Sequence, residues 1–399
     1  MGLGRAEITF FFSEVICILF YGLFTEIKPE DTYKQSDIPA GLNITHDAWV
    51  EQQTREHLHD KYPLFQDVHV MIFIGFGFLM VFLKNNSWTS IGFNYLIAAW
   101  AIQIGILYHG FWKNVCNHYF YGPDYEWHKI NLNISSLIFA DFAAAAVLIT
   151  FGALLGKCSI FQLWVICTIE VFIYSVNEAI IYQIWEVADI GGSMVIHSFG
   201  AYFGLSCALF YQPKAAIKDE KGIGVGNYLS DLISMIGTLF LFCYWPSFNA
   251  GPASLPTQAQ RAHINTYLAI ACSCVASIIC SKLIHGGKLE METVLNASIA
   301  GGVGIGATAD IIVRPFGAMI VGFICGSVSS FGFGYLSKFL QKAINLHDTC
   351  GVHNLHGMPG VIGGITSAIV VSYGEENFGK KYYGLFGIDG NSDSTAAGY

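Results

Sequence analysis

Two histidines stand at matched places in this chain. His197 lies in "DIGGSMVIHSFGAYFG" and His356 in "DTCGVHNLHGMPGVIGG"; each follows an aspartate, Asp189 or Asp348, by eight residues and heads a run of small and apolar residues. A neutral imidazole offers one donor and one acceptor nitrogen. Two such rings can share a hydrogen bond and leave their free edges to line a passage. Burial without a counter-charge disfavours the imidazolium form. Such a passage suits a small neutral molecule that both donates and accepts hydrogen bonds, and it resists bare cations, which would lose hydration without gaining a cage of oxygens. A lone histidine more often just ties a helix to a backbone carbonyl; the matched pair favours the passage.

Other ionisable groups fall in apolar runs, where each is costly and is read first as functional. Glu178, in "SVNEAIIY", lies near one end of its run, where it would either gather cations at an entrance or snorkel at the interface. Asp141, in "FADFAAAAV", is deeper and is expected to cap or bridge helices. Glu14 and Glu170 have no evident partner in the sequence. His353, three residues before His356, is a candidate vestibule residue. Asp348, Cys350, His353 and His356 fit no standard zinc spacing, so neither metal nor cofactor is expected. Most of the eleven cysteines lie in apolar runs and read as small buried hydrophobes.

The elements that must hold these residues are membrane helices. The 399 residues are 53% hydrophobic and only 12% charged, against roughly a quarter charged in a soluble domain. Runs of about 18 or more apolar residues recur, each able to cross the hydrocarbon core. Eleven spans are expected, at about 7–27, 67–84, 88–109, 130–154, 159–184, 192–212, 225–248, 263–283, 293–311, 315–337 and 356–374. The net charge of −9 comes with no basic patch, which argues against nucleic acid as a partner. No paired catalytic aspartates, HExxH or nucleophile motif suggests an enzyme. Residues 28–66 form a hydrophilic loop with the sequon Asn43-Ile44-Thr45, an expected glycosylation site facing the outside. That puts the N-terminus in the cytoplasm and a short tail, 375–399, outside. Over the whole chain Lys and Arg divide evenly between the two sides, so the positive-inside rule barely arbitrates; among the shorter loops the cytoplasmic side leads, helped by Lys214, Lys218 and Lys221.

Small residues follow each histidine on one helix face: Gly200, Ala201 and Gly204 in one case, Gly360, Gly363 and Gly364 in the other. Small faces let membrane helices approach closely. Five spans separate the two segments, so the helices run in opposite directions, the signature of an inverted repeat with its site where the halves meet. The expected fold is an all-α polytopic membrane protein over residues 1–374. Its eleven transmembrane helices form an inverted-repeat bundle, five plus five, preceded by one extra N-terminal helix.

Together "GGSMVIHSFGAYFG", "NLHGMPGVIGG", "YWPSFNAG", "GKLEMETVLNASIAGGVGIG" and "RPFGAMIVGFICG" resemble the Rh glycoprotein branch of the ammonium transporter (Amt/Mep/Rh) family, over about residues 7–374. The resemblance implies a plasma-membrane homotrimer with one pore per subunit, surrounded by lipid and conducting ammonia or ammonium. It implies that His197 and His356 line the pore, that Phe142 and Phe248 gate its external side, and that Glu178 recruits ammonium in the outer vestibule. Asp189 and Asp348 would support the histidine helices. Ammonium would lose its proton outside, and neutral ammonia would pass the histidines; methylammonium and carbon dioxide are further candidate cargoes. The alternative is a non-conducting structural Rh-type subunit, marked by loss of the pore histidines, both of which are present here. The family closes with one more long helix, which is absent from a sequence ending in "FGIDGNSDSTAAGY".

Overall fold

The computed structural model describes residues 4–27, 45–82, 87–123, 125–211, 228–312 and 314–378. Asn43, Lys214, Lys218, Lys221 and the tail beyond residue 378 lie outside the described residues. Among them, ten helices are long and apolar enough to cross a membrane. The chain is an integral membrane protein, and among the described residues the one strand pairing is a two-residue parallel pair, Thr25–Glu26 with Ile130–Asn131. That pair anchors the end of the Arg5–Phe24 helix. Otherwise this helix is peripheral: only Cys17 is buried, and Tyr21 reaches across to the carbonyl of Gln103. Glu14 sits on it, half-buried.

Helix starts follow local chemistry. Asn133 with Ser136, and Ser159 with Gln162, form reciprocal capping boxes that open the Ile134–Leu154 and Ile160–Ala179 helices, satisfying donors that no intrahelical partner could take. The Ile134–Leu154 helix is the core of the bundle, buried continuously from Ala140. Its alanines make a low surface against which neighbours pack at backbone distance. A Cβ on Gly200 would come within 2.5 Å of the Ala146 carbonyl oxygen, and one on Gly204 within 2.7 Å of the Thr150 Cα. In the second half, Gly360 and Gly363 press on Ser193.

Two expectations change. The hydrophilic stretch 28–66 is not loop throughout, because a helix runs from His46 to Val70. Thr45 caps it, and further along the Lys61 ammonium holds the carbonyls of Gly251 and Ala253 at 2.8 and 2.5 Å, which ties the helix to the bundle at that level. The span expected at 293–311 is broken into the Met291–Ala297 and Ala300–Ile305 helices and a tight turn, Gly306–Thr308. Neighbours satisfy the freed backbone, as irregular structure at membrane depth demands. Asn249 donates to the Gly302 carbonyl, and Ser193 Oγ donates to that of Val303 while accepting from the N–H of Ala307.

Candidate functional site

The two histidine segments meet reciprocally. The Phe199–Phe210 helix packs on the turn His353–Gly357, and the Met358–Phe378 helix packs on the turn Ser193–Ser198. Both turns are wide, π-type turns that carry the histidine. Each is prepared by its aspartate. Asp189 Oδ2 accepts from the N–H groups of Met194 and Val195, both at 2.9 Å. Asp348 accepts from those of Val352 and His353 at 3.0 and 2.9 Å. Burial pushes the Asp189 carboxyl up to about 7 against the pull of these N–H groups, and raises that of Asp348 likewise.

The result is a direct contact: Nδ1 of His197 lies 3.1 Å from Nδ1 of His356, with the rings nearly parallel at 13° and 5.1 Å between centroids. Both rings are buried, at 1% and 3% exposure. One Nδ1 donates and the other accepts, so the first ring keeps an acceptor at Nε2 and the second carries its proton there. His197 Nε2 is buried with no protein partner among the described residues.

An aromatic column runs through this pair. Phe139 meets Phe142 at 6.1 Å, Phe142 meets Phe248 at 4.6 Å, and Phe248 meets His197 at 5.8 Å. Beyond His356 comes Phe76 at 6.1 Å, and Trp245 stacks on His197 from the side at 5.7 Å. A small space of about 20 Å³, walled by Leu79, Leu148, Ile149 and Val352 among others, lies past His356. At the opposite end, a cavity of about 260 Å³ is bordered by His109, Lys113, Phe139, Glu178 and Tyr182.

Glu178 borders that cavity but does not snorkel. Only 4% of its side chain is exposed; one oxygen takes His109 Nδ1 at 2.6 Å and the other the Tyr174 hydroxyl at 3.3 Å. Asp141 bridges helices by bonding His69 Nδ1 at 3.0 Å. Glu170 does have a partner, the Thr150 hydroxyl at 2.6 Å. His353 stands beside Tyr202 at the first position of its turn, away from the Nδ1–Nδ1 contact. His109, His69 and Trp245 were not singled out from sequence. Both histidines lie in apolar runs and could have been flagged by the rule that flagged Glu178.

The profile of the Ammonium Transporter Family matches residues 50–395, and the chain belongs to that family, in its Rh branch. It is 44% identical to the ammonium transporter Rh type C of Bos taurus over 357 residues, 86% of this chain and 74% of that protein. The counterpart from Xenopus tropicalis is 43% identical over 374 residues, covering 93% and 76%. Among solved structures, Nitrosomonas europaea Rh50, described as a member of the Rhesus family of channels, superposes with a TM-score of 0.71 at 30% identity, covering 86% of this chain and 88% of that one. Saccharomyces cerevisiae Mep2 shares the fold at 18% identity and a TM-score of 0.63, covering 84% and 78%.

Proposed function

We propose that the column through Phe142, Phe248, His197 and His356 is a conduit for neutral ammonia. Ammonium arrives at the cavity beside Glu178, loses its proton there, and crosses as ammonia. The observation that carries this reading is the 3.1 Å Nδ1–Nδ1 contact between two buried, opposed imidazoles. With the Nδ1 atoms engaged, one acceptor and one donor remain at Nε2, and ammonia is a molecule that can answer both. The aromatic rings that flank the pair are Trp245, Phe248 and Phe76, and their faces stabilise a cation far less than the water it left. The stacked Phe142 and Phe248 serve as the outer gate, and negative charge at Glu178 raises the local concentration of ammonium.

The same reading takes the Glu178 end as external, the N-terminus as cytoplasmic, Asn43 as glycosylated, and the protein as a homotrimer in the plasma membrane. The sequon before the second helix and the Rh type C relatives support it. Methylammonium uptake by liposomes carrying the purified protein tests it. Uptake should exceed that of empty liposomes, and His197→Ala or His356→Ala should cut it by about tenfold or more, since the remaining ring keeps a buried polar atom without its partner. Uptake equal to that of empty liposomes would leave the protein a structural subunit.

A further inference from the structure

We propose that His109, held by Glu178, is the group that takes the proton from ammonium. This deepens the transport reading above and rests on it. Glu178 is almost sealed, with both oxygens engaged, so ammonium cannot reach the carboxylate without displacing the imidazole. The ring itself is accessible, at 24% exposure. It lines the 260 Å³ cavity and also an adjoining polar one of about 320 Å³. With Nδ1 committed to Glu178, Nε2 is the nitrogen left for the cavity.

A carboxylate that fixes one imidazole nitrogen as donor leaves the other as a basic acceptor, and stabilises the imidazolium once it forms. The step balances simply. An N–H bond of ammonium breaks and ammonia keeps the electron pair; the proton bonds to the lone pair of His109 Nε2. The resulting imidazolium pairs with Glu178 and later returns its proton to outer water through the same nitrogen. His109 also stacks on Phe139 at 4.9 Å and 15°, and Phe139 touches Phe142, so ammonia is released at the head of the aromatic column.

The titratable and charged groups around the ring are Glu178, Tyr174 and Tyr182 from the Ile160–Ile184 segment, Lys113 one turn along its own helix, and Tyr125, His128 and Lys129 from the strand side. Lys113 borders both cavities. Its charge opposes holding a second cation beside the imidazolium and so favours return of the proton to water.

The test uses the full chain in liposomes with an internal pH dye and an inward ammonium gradient, comparing wild type, His109→Gln and His109→Ala. Glutamine can still donate to Glu178 but takes no proton. Its transport should fall about a hundredfold, the lower end of what a positioned proton acceptor supplies. Imidazole in the outer solution should restore transport to His109→Ala. A glutamine variant at the wild-type rate would overturn the assignment. So would a His109→Ala variant that folds, shown by wild-type-like melting, yet is not restored by imidazole. Wild type no better than empty liposomes would instead remove the transport reading.

Discussion

Gly192 and Gly351 share one backbone conformation, with φ of 68° and 67°. Each lies three residues after a capping aspartate and five before a histidine. The left-handed turn lets the chain reverse so that the aspartate faces the N–H groups of the turn carrying the imidazole. An L side chain there costs about 1–2 kcal/mol from backbone sterics alone, and a Cβ would also collide with Ile196 at one site and the Phe333 ring at the other. Gly192→Ala and Gly351→Ala should each lower thermal stability in detergent by about 2 kcal/mol or more, with a larger loss of methylammonium uptake as the Nδ1–Nδ1 contact opens. Unchanged melting for both would refute this.

The Asp–His spacing and the small-residue stripes are visible in sequence because each obeys a local period, and that is why the inverted repeat is legible. The Gly192–Gly351 match is equally local, yet it gains meaning only beside the caps. His109 and Glu178 are 69 residues apart, as long-range a pairing as His69 with Asp141, and no periodicity joins them. The break between Ala297 and Ala300 is hidden because the apolar run continues through it; the backbone freed there is held by Ser273 from another helix, which donates to the Ala297 carbonyl and accepts from the N–H of Gly301.

The Phe142–Phe248 contact at 4.6 Å lies in the column between Phe139 and His197, and under the proposed transport it is the outer gate. Phe142→Leu keeps an apolar side chain but removes the ring, so the passage widens without exposing the core. Uptake of ethylammonium relative to methylammonium should rise severalfold. A one-methylene difference is worth about 1–3 kcal/mol to a fitted apolar site, which sets the scale. An unchanged ratio would show that the constriction lies elsewhere.

Close helix approach should discriminate between two glycines of the repeat. Gly200 faces the backbone of Ala146, which cannot yield, whereas Gly364 faces the side chain of Met194, whose sulfur would lie 2.8 Å from an added Cβ and can swing away. Gly200→Ala should cost about 1–3 kcal/mol as an overpacked contact and Gly364→Ala less than about 1 kcal/mol. Thermal unfolding of the pair of variants checks the order, and the reverse order would contradict the packing described here.

Asp189 carries a pH dependence with a defined sign. Burial holds its carboxyl at about 7, above an unfolded value of about 3.9, so the folded chain keeps a proton that the unfolded chain has lost. The associated stability is complete below about pH 4 and disappears as pH rises through about 7. Asp189→Asn does not titrate. The stability difference between wild type and this variant should therefore shrink with rising pH over that window, by a few kcal/mol at most. Melting curves at pH 5, 6, 7 and 8 read it directly, and a difference that grows with pH would reverse the assignment.

Thr150 supplies one hydroxyl hydrogen but stands 2.6 Å from Glu170 Oε1 and 2.9 Å from the Gly200 carbonyl oxygen. A single hydrogen cannot serve both acceptors. If it goes to Gly200, the Glu170 contact requires that the carboxyl bring its own proton, making a chain from Glu170 through Thr150 to Gly200. Glu170 is fully buried and its second oxygen has no partner among the described residues, a setting that tolerates a neutral acid far better than an anion. Glu170→Gln preserves a donor and should change stability by less than about 1 kcal/mol, whereas Glu170→Ala leaves Thr150 without its donor and should cost about 1–3 kcal/mol. Infrared difference spectra should contain a protonated-carboxyl band that Glu170→Gln removes. Glutamine as damaging as alanine, with no such band, would mean that the group is ionised and that Gly200 goes without its bond.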